Sequence, residues 1–104
     1  MAEPRVVLQD FEIYANGCSW RIEIIETRYV DSGRIALLAK HNGEDFAMIT
    51  CNLPLYVFQP GEFAVKTWTE NAWVPQLLAS GLFIDTGKTI PTGFVQAPIW
   101  RMVK

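Results

Sequence analysis

Apolar and polar residues alternate along most of this chain in short runs, the period-two pattern of strands with one wet face. From Val6 to Tyr14, Phe11, Ile13 and Ala15 alternate with Asp10, Glu12 and Tyr14. Asn16-Gly17 follows, a strong two-residue hairpin signal because both central positions of a type I′ turn need positive φ. Over Cys18–Val30 the pattern has a fault. Cys18, Trp20, Ile22 and Ile24 share one face, but after Ile24 the apolar set becomes Ile25, Thr27 and Tyr29. A strand changes face only through an extra residue or a strong twist, so a β-bulge is expected near Ile24–Ile25. Asp31-Ser32-Gly33 turns the chain into Arg34–Lys40, with Ile35, Leu37 and Ala39 inward. His41-Asn42-Gly43 then turns it into Glu44–Cys51, whose Phe46, Ala47, Met48 and Ile49 are apolar on both faces and read as a central strand.

The period changes once. Trp73, Val74, Leu77 and Leu78 form one apolar stripe at helical spacing, and Gly81 follows Ser80 where a left-handed C′ residue belongs. Asn71 is a good N-cap, but that start puts Pro75 at the fourth helical position, where it removes a hydrogen bond. A start at Val74 with Pro75 in the first position avoids this and predicts a short helix over about 74–80 behind a looser lead-in turn. Asn52-Leu53-Pro54 and Pro60-Gly61 flank a crossing segment, and Phe63–Trp68 is a strand before the helix. After it come a short strand Leu82–Ile84, a turn Asp85–Gly87 and a last strand Phe94–Val103, which Pro98 confines to an edge or a bulge. The fold class expected is α+β: a mostly antiparallel sheet of roughly five to seven strands with one short helix packed on it.

With 104 residues the chain supports one domain, 1–104, and half of those residues are apolar, too many for a disordered chain. Met1–Pro4 reads as a frayed tail. The apolar runs are too short to span a membrane, and no signal peptide is legible, so a cytoplasmic location without membrane association is expected. The net charge is −2, and the nine Lys and Arg are scattered singly, so direct nucleic-acid binding is not expected. Cys18 and Cys51 read as reduced core residues, and two thiols cannot complete a zinc site. No metal and no cofactor is expected.

The motifs that carry chemistry weaken on inspection. Asp85-Thr86-Gly87 after Leu82-Phe83-Ile84 looks like the tripeptide of retroviral-type aspartic proteases, but too little chain follows it for a flap and a second half. Its plain reading is a turn in which Asp85 bonds its own backbone and Gly87 takes positive φ. Gly87-Lys88-Thr89 resembles the end of a phosphate-binding loop, yet Gly81 stands one residue too far away and Ile90-Pro91 replaces the helix start. His41, the single histidine, lies beside a turn and reads as solvated. Trp68, Trp73 and Trp100 in the C-terminal part offer either a core or, if partly exposed, an interface.

The segments Asn52-Leu53-Pro54, GEFAVKTWTEN (61–71) and LLASGLFIDTGKTIPTGFV (77–95) resemble a domain-of-unknown-function family of small proteins. Its members are carried by bacterial plasmids, conjugative elements and phages. Val74 and Pro75 depart from the Gly- or Glu-bearing helix start of that pattern. The resemblance carries over no catalytic residue; it implies a bacterial, mobile-element context. Together these readings favour a non-enzymatic protein that binds a protein partner in the host, such as a CRISPR or restriction system it would inhibit. The expected contact residues are Trp68, Trp73 and Trp100 with Glu70 and Lys66 as a charged rim, and a homodimer stays open. The alternative is a small-molecule binder or an enzyme with its site near residues 85–88.

Overall fold

A computed structural model describes residues 4–53 and 56–103. The frayed tail read for Met1–Pro4 falls outside it except for Pro4, as do Pro54 and Leu55 of the crossing segment. Eight strands form two four-stranded antiparallel sheets. The first has the order β1-β2-β3-β4, from β1 (Arg5–Ala15), β2 (Cys18–Arg28), β3 (Ile35–His41) and β4 (Glu44–Met48). The second has the order β5-β6-β8-β7, from β5 (Thr50–Cys51), β6 (Glu62–Val65), β7 (Phe83–Thr92) and β8 (Val95–Met102). The antiparallel α+β architecture is therefore the one expected, with its strands shared between two layers.

Local turn chemistry builds the hairpins. Asn16 and Gly17 both take positive φ (55° and 77°), and Ala15 pairs with Cys18 across them. Asn42 and Gly43 repeat the geometry (52° and 81°) between His41 and Glu44. Both are the two-residue turns that the strand twist favours. The inner faces then meet: Ile13, Ile22, Ile24, Ile35, Leu37 and Ala39 of the first sheet pack with Phe63, Val65, Phe83 and Trp100 of the second.

Three expectations are corrected by this packing. Glu44–Cys51 is not a central strand but two edge strands, one in each sheet, with Ile49 fully buried at the crossing. Its two apolar faces reflect the change of sheet. The bulges lie opposite Ile24–Ile25 but in β1, between Val6 and Leu8 and between Leu8 and Phe11, while β2 pairs with β3 without a break. So β2 keeps its phase: Ile24 stays inward opposite Ala39, and Ile25 stays outward opposite Leu38. Cys18 is exposed beside the first hairpin rather than in the core, and Cys51 is half-buried, which pushes its thiol pKa up.

The helix occupies Val74–Ser80 as expected, but its hydrogen bonds are of the i→i+3 kind, Gln76 N–H to Trp73 O and Gly81 N–H to Leu78 O. Pro75 in the first turn and a length of seven residues leave little room for an α-helical ladder. Gly81 ends it at φ 79°. Asn71 is not its N-cap; the Asn71 side chain instead donates to Met48 O at 2.8 Å, and a separate 3₁₀ turn covers Thr69–Asn71. Trp73, Val74 and Leu77 enter the core.

This helix also completes an edge. β1 is the terminal strand of its sheet, and the Gln76 carboxamide bonds both backbone groups of Tyr14, accepting from N–H at 2.9 Å and donating to C=O at 2.8 Å. The side chain thus does locally what a neighbouring strand would do. Gln76→Ala should lower stability to urea by about 1–2 kcal/mol, the worth of two such bonds. It should also speed hydrogen exchange at the Tyr14 amide, and an unchanged exchange rate there would show that the edge is held by other contacts.

Candidate functional site

The five expected contact residues are not brought together as one surface. Trp73 and Trp100 are 5% and 1% exposed, so neither can present a ring to a partner. The reason is geometric. Trp100 alternates inward on β8, tilted against Phe83, which also meets Phe63 edge-on. Trp73 precedes the helix and meets Phe46 edge-on at 5.5 Å. Lys66 and Trp68 are half-buried and Glu70 is exposed, along the segment leaving β6. Of the expected rings, only Trp68 keeps a surface position.

The most exposed aromatic ring among the described residues is Phe94, at 108% of its reference area, with Tyr14 next at 64%. Thr92 pairs with Val95, leaving Gly93-Phe94 as the tip of the β7–β8 hairpin. Gly93 takes φ 73° while Phe94 does not take positive φ, the type II′ pattern with glycine first. The distal pairs of this hairpin, from Thr89–Pro98 to Thr92–Val95, have no β6 residue beside them, because β6 pairs only with Ile99–Arg101. The tip is therefore a two-stranded arm with an apolar end. The sequence pattern starts the last strand at Phe94 and gives no sign that Phe94 falls on the turn itself.

The side-chain contact and positive φ expected at 85–87 are present, but the chain does not turn there: the expected short strand Leu82–Ile84 runs on as β7 to Thr92, and Asp85–Lys88 is a bulge within it. Asp85 Oδ1 accepts from Gly87 N–H at 2.9 Å, and Gly87 takes φ 83°. Thr86 Oγ1 donates to Ile99 O at 2.7 Å, and two residues are bulged out between Asp85 and Lys88. Asp85 is thus committed to its own backbone. Beyond the bulge, Lys88 Nζ reaches Glu62 Oε2 at 2.7 Å, and Glu62 Oε1 accepts from Gln59 N–H at 2.9 Å. The Lys88 hydrogen bond holds the buried Glu62 carboxyl below the usual carboxylate range.

His41 is not the solvated turn residue expected. Its ring meets Trp20 edge-on at 5.1 Å, within a cluster that includes Phe46 and, through it, Trp73. Nδ1 lies 2.8 Å from Arg21 O, which fixes Nδ1–H as the donor, and Nε2 lies 3.3 Å from the Asn42 amide nitrogen. Nδ1 thus ties the end of β3 to β2, while Nε2 meets Asn42 of the β3–β4 turn. Among the described residues no group of three or more His, Cys, Asp or Glu is placed to hold a metal ion. Among the described residues no helix is long and apolar enough to cross a membrane. No family model, curated protein or solved structure matches the chain.

Two substitutions test these assignments. Gly87→Ala should destabilise by about 1 kcal/mol through backbone strain alone, since a Cβ there meets no atom within 4 Å. Glu62 has a lowered native pKa, so its ion pair stabilises the fold above the ordinary glutamate value and that contribution is lost as pH falls through the native value. Glu62→Gln should therefore cost about 1–2 kcal/mol at neutral pH, Lys88 being half-exposed. The difference in urea stability should shrink as pH falls below the ordinary glutamate value and vanish only below the lowered native value; a constant difference across pH would mean the ion pair is not its source.

Proposed function

We propose that this protein is a stoichiometric, non-enzymatic binder of a protein partner in a bacterial host cytoplasm, and that it inhibits a defence system such as a CRISPR or restriction effector. The observation that carries the reading is the fully exposed Phe94 ring on an arm that projects past its sheet. A rigid hairpin tip presents an aromatic side chain at small entropic cost, and aromatic anchors seated in a partner's pocket dominate many interfaces. Ile90, Pro91 and Val95 lie on the same arm, so further apolar residues stand near the tip in the chain. The segment that resembles the mobile-element family, 77–95, ends in this tip. Trp68, with Lys66 and Glu70 on the same segment, supplies a second contact strip. A net charge of −2 makes charge mimicry of nucleic acid weak, so shape and aromatic contact would carry the affinity.

The test uses the protein and its Phe94→Ser variant as parallel baits in host lysate, followed by titration of the recovered partner. Wild type should retain a partner that the variant loses, with a binding cost of about 2 kcal/mol and unchanged thermal stability. The inhibitory effect should saturate at one equivalent. Full effect from a substoichiometric amount, or full binding by Phe94→Ser together with Trp68→Ala, would overturn the reading.

A further inference from the structure

The unbroken phase of β2 sends two charged side chains toward the space between the sheets. After Ile22 and Ile24, the next inward positions are Glu26, opposite Leu37, and Arg28, opposite Ile35. Glu26 is half-buried and Arg28 exposed, so the space they face is open to water. The seam between β1 and the β7–β8 edge is closed near Tyr14 by the 3₁₀ helix, which ends at Gly81. From Leu82 onward a cleft of about 690 Å³ remains, with Arg5, Glu26 and Arg28 on one wall and Gly61, Leu82 and Met102 on the other.

The charges in this cleft are unequally matched. Arg5 donates from Nε (3.1 Å) and Nη2 (2.9 Å) to the same oxygen of Glu26, whose side chain is only 12% exposed. The Arg28 side chain makes no hydrogen bond or ion pair with any described residue, its backbone being paired opposite Ile35. Two arginines and one glutamate leave a net charge of +1, carried by a guanidinium above an apolar floor that includes Ile35. We propose that the cleft binds a small organic monocarboxylate with an apolar body. The carboxylate pairs with Arg28 in the two-pronged geometry that guanidinium favours, and the apolar part lies against Val7, Ile35, Leu82 and Met102.

Two features select this ligand class. A dianion such as a phosphate monoester would bring its second charge against Glu26, so a single charge fits better. An extended peptide added to the β1 edge would need a regular ladder, and β1 is bulged twice within Val6–Phe11, beside the cleft. The volume is within the range of small-molecule sites. This site is independent of the arm: Met102 and Phe94 lie at opposite ends of the β8 hairpin strand.

Titration of the full chain with octanoate, followed by amide NMR, tests the proposal. Octanoate should give saturable shifts confined to residues 5–7, 26–28, 35, 82 and 102, and Phe94→Ser should bind it unchanged. Arg28→Gln, at an exposed position, should keep the wild-type melting temperature and weaken octanoate by about tenfold or more. Glu26→Gln should shift the preference from octanoate toward octyl phosphate, because the net charge rises by one. Equal binding of octanol, equal binding by Arg28→Gln, or no saturable shift would overturn the proposal. So would an apolar peptide occupying the cleft where octanoate does not.

Discussion

The crossing of the chain at Ile49–Thr50 holds the two sheets as one body. Ile49 N–H donates to Leu37 O in the first sheet, and Ile49 O accepts from Lys66 N–H beside the second, while its side chain is fully buried between them. Thr50 adds a polar clasp. Its hydroxyl accepts from Leu37 N–H and bonds the Tyr29 hydroxyl at 2.8 Å, and Tyr29 also donates to Thr50 O at 3.1 Å. Burial pushes the Tyr29 hydroxyl pKa up. A polar network this far from water is stable only when all its members are satisfied, and no buried side-chain polar atom among those described lacks a partner.

Joining the sheets along one side leaves the opposite seam to be closed by other means. The closure is partial. The 3₁₀ helix contributes Trp73, Val74 and Leu77 to the core and caps β1 through Gln76, but Gly81 ends it after seven residues. Beyond it a cleft remains, lined in part by Arg28. The same short helix therefore explains both the completeness of the core at one end and the wet, charged cleft at the other. The arm bearing Phe94 arises similarly, because β6 is four residues long and cannot accompany the β7–β8 hairpin to its end.

Function in such a small domain must be placed where the core is not. The chain's tryptophans are chiefly structural: Trp73 and Trp100 are buried, and the Trp20 indole N–H donates to Ala15 O at 3.1 Å. This leaves Phe94, Trp68 and the arginine cleft as the surfaces with chemistry to offer. Their separation along β8 allows a protein contact and a small-ligand site to act without competing.

Features set by a few neighbouring residues were legible from sequence alone. The Asn16-Gly17 and Asn42-Gly43 hairpins, the helix stop at Gly81 and the Asp85–Gly87 contact within its bulge all rest on positive φ or on a side chain bonding its own backbone. Such preferences are local energies, unaffected by what the rest of the chain does. The strand phase of β2, the role of Glu44–Cys51, the exposure of Cys18 and the burial of Trp73 and Trp100 were decided only in three dimensions. Period-two alternation says which residues share a face, not which face is covered, and it treats an apolar residue on a wet face as a fault. Ile25, outward beside Leu38, and Glu26 and Arg28, inward at an unclosed seam, read as a bulge in one strand. Only the meeting of two sheets and a helix too short to fill the gap between them shows that the phase is continuous and the core is open there.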